Sequence, residues 1–79
     1  MYKYNLEFVL YIQNISQDKI KDSISSLGEE VKVIDCQEHL AKGRNFKINI
    51  NTEDPTIVFD TCAQFGRIKS VKIHEERSS

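Results

Sequence analysis

Polar and apolar residues alternate from Tyr4 to Gln13. Leu6, Phe8, Leu10 and Ile12 fall on one face, and Glu7, Val9, Tyr11 and Gln13 on the other. A period of two predicts a strand. The spacing then lengthens: Ile20, Ile24 and Leu27 recur at helical intervals with polar residues around them, one apolar stripe on a helix. Ser16 is the expected N-cap, and Gly28 stands where a left-handed C-terminal cap would end the helix. Val31 and Val33 alternate with Lys32 and Ile34 in a second strand, and His39 to Gly43 forms the expected turn. Phe46, Ile48 and Ile50 alternate with Lys47, Asn49 and Asn51 in a third. Asp54-Pro55 pairs a capping carboxylate with a proline in the first helical turn. Val58, Cys62 and Phe65 then make the buried stripe of a second helix, with Phe59 beside them and Gly66 at its end. Ile68, Val71 and Ile73 mark a last strand.

The order is strand, helix, strand, strand, helix, strand, and the two halves resemble each other. Ser26-Leu27-Gly28 followed by Val31-Lys32-Val33 corresponds to Gln64-Phe65-Gly66 followed by Val71-Lys72-Ile73. Each β-α-β unit crosses right-handedly. Two interleaved units give a ferredoxin-like α+β sandwich, a four-stranded antiparallel sheet of order 4-1-3-2 with both helices on one face. The other face stays open. The expected core is Leu6, Phe8, Leu10, Ile12, Ile20, Ile24, Leu27, Val31, Val33, Phe46, Ile48, Ile50, Val58, Cys62, Phe65, Val71 and Ile73.

Length narrows this to one domain over residues 1–79, with a tail fraying from about Glu75. A chain this short supports a single core and no deep cleft. It has 11 Lys and Arg against 12 Asp and Glu, a net charge of −1, so bulk charge points to no polyanionic partner. The N-terminus lacks a charged-then-apolar leader pattern. The longest apolar run, Phe8 to Ile12, is far too short to cross a bilayer. Cys36 and Cys62 are expected as free thiols in a reducing, cytoplasmic setting, Cys62 shielded and Cys36 more reactive.

The motifs of common chemistries are missing. The three glycines, Gly28, Gly43 and Gly66, form no phosphate-binding loop. Gly-x-Ser-x-Gly and His-Glu-x-x-His do not occur. Cys36 and His39 have half the spacing of a structural zinc site, with no second pair to complete four ligands. His74 reads as a solvated residue. Glu29-Glu30, Glu53-Asp54 and Glu75-Glu76 read as surface or helix-start carboxylates. No catalytic residue, metal or cofactor is expected.

Two stretches resemble known modules. Leu10-Tyr11-Ile12-Gln13-Asn14-Ile15 is similar to the first-strand motif of RNA-recognition-motif domains, where an aromatic at the second position stacks a base. The matching third-strand motif is incomplete, with Arg44 where an aromatic belongs. Phe46 to Glu75 resembles the second half of ACT-type regulatory domains: strand, Thr52-Glu53-Asp54-Pro55, short helix, Phe65-Gly66-Arg67-Ile68, then Ser70-Val71-Lys72-Ile73. That resemblance implies a regulatory module. Amino-acid-binding members carry an acidic residue and a glycine in the first turn, where this chain has Asn14 and no glycine. The leading expectation is a non-enzymatic binding or regulatory module acting through a protein partner or a homodimer. Nucleic-acid binding is the alternative, and a small-molecule ligand is left open.

The working surface is expected on the helix-free face. Strand parity sends Val9, Tyr11, Lys32, Ile34, Lys47, Asn49, Ser70, Lys72 and His74 there. Three lysines face a single carboxylate, Glu7. Val9 and Tyr11 make the first strand apolar on both sides, which in a sheet usually means that both sides are covered. Tyr11 is the expected anchor, since its ring suits a protein interface or a base, with Lys47 and Lys72 flanking it.

Overall fold

A computed structural model describes residues 4–36 and 43–75. The elements run β1 (Tyr4–Ile12), α1 (Gln17–Ser25), β2 (Glu29–Asp35), β3 (Arg44–Thr52), α2 (Pro55–Ala63) and β4 (Gly66–Glu75). All strand pairs are antiparallel and the sheet order is β2-β3-β1-β4, the expected ferredoxin-like arrangement. The expected turn from His39, and the tail beyond Glu75, lie outside the described residues.

Local chemistry sets the helix starts. The Ser16 hydroxyl accepts from the Lys19 N–H at 3.2 Å, and the Asp54 carboxylate accepts from Thr56 and Ile57 N–H groups, with Pro55 in the first turn. Each contact satisfies a donor the helix cannot satisfy itself. The helix ends differ from expectation. Ser26 and Gln64 are the C-caps, and no glycine among the described residues has a positive φ. Gly28 and Gly66 serve close approach instead. A Cβ on Gly28 would overlap the Asn51 carbonyl of β3, and one on Gly66 the Tyr11 carbonyl of β1. The repeat in the sequence thus marks two places where an edge strand starts hard against a central one.

The core lies between the sheet and the helices. Leu6, Phe8, Leu10 and Ile12 from β1, Phe46, Ile48 and Ile50 from β3, and Val33 from β2 meet Ile20 and Ile24 of α1 and Val58 and Cys62 of α2. Full burial of one such aliphatic or aromatic side chain stabilises by about 1.5–3 kcal/mol. Phe8 meets Phe59 edge to face at 5.3 Å. Leu27, Val31 and Phe65 are half-buried against this cluster. Buried Thr52 joins three segments: its hydroxyl donates to the Leu27 carbonyl at 2.8 Å and accepts from the Asp54 N–H at 3.1 Å.

Val71 and Ile73 depart from the expected core. They are 47% and 50% exposed. Ile68 packs on the core, but between it and Val71 the pairing with β1 slips between Glu7 and Val9. Ser70 there has φ 54°. Two residues of β4, Ser70 and Val71, stand opposite Phe8. Such a bulge bends and twists its strand, and beyond it the outer edge strand leaves the helix cover. The repeat recurs here: β2 slips against β3 between Glu29 and Lys32, and Glu30 has φ 53°. Glu30-Val31-Lys32-Val33 and Ser70-Val71-Lys72-Ile73 therefore share both sequence pattern and backbone form.

Candidate functional site

The cross-strand register decides which side chains share the helix-free face. Glu7 stands beside Asn49 and Lys72, Val9 beside Lys47 and Lys69, and Tyr11 beside Asn45 and Arg67. Lys32 lies beside Asn49, and Ile34 beside Lys47. Tyr11, Val9, Lys47, Asn49, Lys72 and Lys32 are thus brought to one surface, as the sequence suggested. Ser70 is not at a regular position on it, because it occupies the bulge. The extra residue reverses the parity of the strand before it, so Arg67 and Lys69 join the face. Sequence reasoning missed both. The signal was present in the spacing of Ile68 and Val71, which a regular strand would place on opposite sides.

The two ends of this face differ in chemistry. At the end near Tyr4, amides bond to one another. Asn5 Nδ2 donates to Asn49 Oδ1 at 3.1 Å and to Asn51 Oδ1 at 2.6 Å, and Asn51 Nδ2 donates to Glu30 Oε2 at 2.9 Å. In the middle, Glu7 takes Lys47 at 3.5 Å and Lys72 at 3.9 Å, so one carboxylate serves two cations. The Arg44–Asp35 pair at 2.8 Å falls on the other side of the sheet, where the two residues stand beside Ile12 and Phe46. Toward the far end, Arg67 and Lys69 make no ion pair among the described residues.

Tyr11 is half-buried at that far end. Its phenol oxygen accepts from Gln13 Nε2 at 3.2 Å, and the Lys69 ammonium lies 5.5 Å from its ring centre, within cation–π range. Tyr11, Ile12 and Gln13 on one side, and Phe65, Gly66, Arg67 and Lys69 on the other, line an open groove of about 590 Å³. Across β1 from Arg67, Asn45 is 6% exposed, and its Oδ1 has no hydrogen-bond partner among the described residues. No second aromatic stands beside Tyr11 in the register.

The remaining sequence candidates do not converge. Cys62 is buried and Cys36 half-buried, both as free thiols. Burial pushes the Cys62 thiol up to about 11. His74 is exposed, and His39 lies outside the described residues. The described residues hold no cluster of three metal-ligating side chains and no helix long and apolar enough to cross a membrane.

Residues 1–78 match the FakA-like middle-domain family, the middle domain of proteins like the fatty acid kinase subunit FakA. The chain belongs to that family. The match covers all four strands and both helices, including the whole helix-free face. The family description names a component of a kinase and places this segment in its middle. No curated protein and no solved structure shows a significant match to the chain.

Proposed function

We propose that this middle domain is a non-catalytic docking module, working through protein–protein contact or self-association on its helix-free sheet face. The observation that carries the reading is the two-sided β1. Its inner side is sealed by the helices, and its outer side sets Val9 and Tyr11 among Lys32, Lys47, Lys69, Lys72 and Arg67. A central strand with apolar residues on both faces is normally covered on both. The middle domain of a kinase component has neighbouring domains as natural occupants, and regulation by such docking is the role the ACT-like chain order suggests. A reducing cytoplasmic setting accords with two free thiols. Nucleic acid fits less well, since a single aromatic on the face gives one stacking platform where such modules use two or three.

The test uses the chain with the remaining domains of a FakA-like protein supplied in trans. Binding is measured by calorimetry, and self-association by light scattering. Tyr11→Ser should weaken whichever association the native chain shows, with the amide spectrum still dispersed. Association that Tyr11→Ser leaves intact, with Lys47 and Lys72 also replaceable without effect, would remove this face as the site.

A further inference from the structure

We infer that the groove at the Tyr11 end receives an acidic segment of a partner protein chain, with Arg67 and Lys69 holding its carboxylates and the Tyr11 and Phe65 rings taking an apolar side chain between them. This rests on the docking reading above and names the partner's chemistry.

The bulge sets the charge of this end of the face. Without Ser70 in its left-handed conformation, Arg67 and Lys69 would lie on the opposite side of β4 from Lys72 and His74. With it, both cations stand on the open face beside Tyr11 and Val9. On the rest of the face Lys47 and Lys72 share Glu7, and Lys32, which has no ion pair among the described residues, stands beside Asn49 and away from the groove. Arg67 and Lys69 also have no ion pair among the described residues, and they flank the groove. Charge is graded along the sheet, with Glu30 and the bonded amides at the Tyr4 end and uncompensated cations at the other. Arginine suits a carboxylate because its planar fork gives two parallel hydrogen bonds. Lys69 already lies over the Tyr11 ring, so an arriving carboxylate meets a cation whose position is partly set.

The same charges argue against other occupants. Two copies meeting face to face through this end would oppose Arg67 and Lys69 with their own like charges, which is costly at an interface. A copy docking its acidic helix side here would make a head-to-tail contact that need not close. A nucleic acid strand running across the sheet face would find Tyr11 followed by Asn45 on the next strand, with no second ring in the register to continue the stacking.

The probe is a short peptide of glutamates around one phenylalanine, titrated into the labelled chain and followed by amide shifts. Its glutamine counterpart, single-stranded oligouridine and vesicles of anionic lipid are run in parallel. The acidic peptide should shift Tyr11, Gln13, Arg67 and Lys69 and weaken as salt rises. Arg67→Glu with Lys69→Glu should reduce its affinity roughly tenfold or more, and Arg67→Gln with Lys69→Gln by less. Lys19→Glu with Lys21→Glu, on the exposed side of α1, should leave it unchanged. Equal binding of the glutamine peptide, tighter binding of oligouridine or vesicles, or indifference to the Arg67 and Lys69 reversals would overturn the assignment. If the neighbouring domains bind in a Tyr11-dependent way that ignores both reversals, the acidic segment is wrong and the docking face stands. If neither Tyr11→Ser nor replacement of Lys47 and Lys72 affects their binding, the docking face itself fails.

Discussion

Phe8 shows how much rests on one side chain in so small a core. It is 1% exposed and meets Phe59 edge to face. Phe8→Ala should therefore destabilise by about 3–5 kcal/mol, read from denaturant unfolding. Cys62 gives a pH dependence with a definite sign. Its thiol is pushed from an ordinary value of 9.0 up to about 11 by burial. Below pH 9 both states hold the proton and the group contributes no pH dependence. As pH rises from 9 toward 11 the unfolded chain loses the proton first, so stability falls, by up to about 2–3 kcal/mol. Cys62→Ala should flatten that alkaline loss at some cost in packing, and native Cys62 should react with a thiol reagent far more slowly than Cys36. A loss of the same steepness in Cys62→Ala would assign it to other groups. Asn45 is a different case. A buried amide oxygen without a donor costs about 1–3 kcal/mol, so Asn45→Val should hold or raise the midpoint of thermal unfolding, and a large drop would mean the amide has a partner.

At the scale of elements, the bulge in β4 is the feature with most influence on the surface. A non-glycine residue in the left-handed region costs about 1–2 kcal/mol relative to ordinary backbone. Ser70→Gly should be tolerated or slightly stabilising, whereas Ser70→Val, with a β-branched side chain, should destabilise by more than about 1 kcal/mol, on the order of the strain itself. Equal stability of the two variants would mean that the strand has relaxed into another register. The elements themselves were legible. Alternation at Leu6 to Ile12 and Phe46 to Ile50, and the capping signals at Ser16 and Asp54-Pro55, are local and survive packing. The glycines were legible as boundaries but not as caps. Leu27-Gly28 and Phe65-Gly66 have the composition of a helix stop, and only the neighbouring strand shows that the missing Cβ is what matters. Gly66→Ala should accordingly loosen the β1–β4 pairing, seen as faster amide exchange at Ile12 and Ile68 than in the native chain.

At the scale of the whole molecule, a net charge of −1 conceals a separation of charge. Lys32, Lys47, Lys69, Lys72 and Arg67 gather on the helix-free face against Glu7, while Asp18, Asp22, Glu53, Asp54 and Asp60 sit on or beside the helices against Lys19 and Lys21. The middle of the face, Val9, Tyr11, Lys32, Lys47, Asn49 and Lys72, follows from strand parity and was readable. Its basic end was not, because parity fails across a bulge and no residue type forces one at Ser70. Val71 and Ile73 are exposed through the same bulge: Val71 lies in it, and Ile73, though opposite Leu6 on the core side, lies beyond it where the edge strand leaves the helix cover. The measurement that bears most directly on the docking face is an amide shift map of the labelled chain on adding the remaining domains of a FakA-like protein. Shifts should concentrate at Val9, Tyr11, Lys47, Arg67, Lys69 and Lys72, with α1 and α2 undisturbed. Shifts confined to the helices, with the sheet face silent, would contradict it.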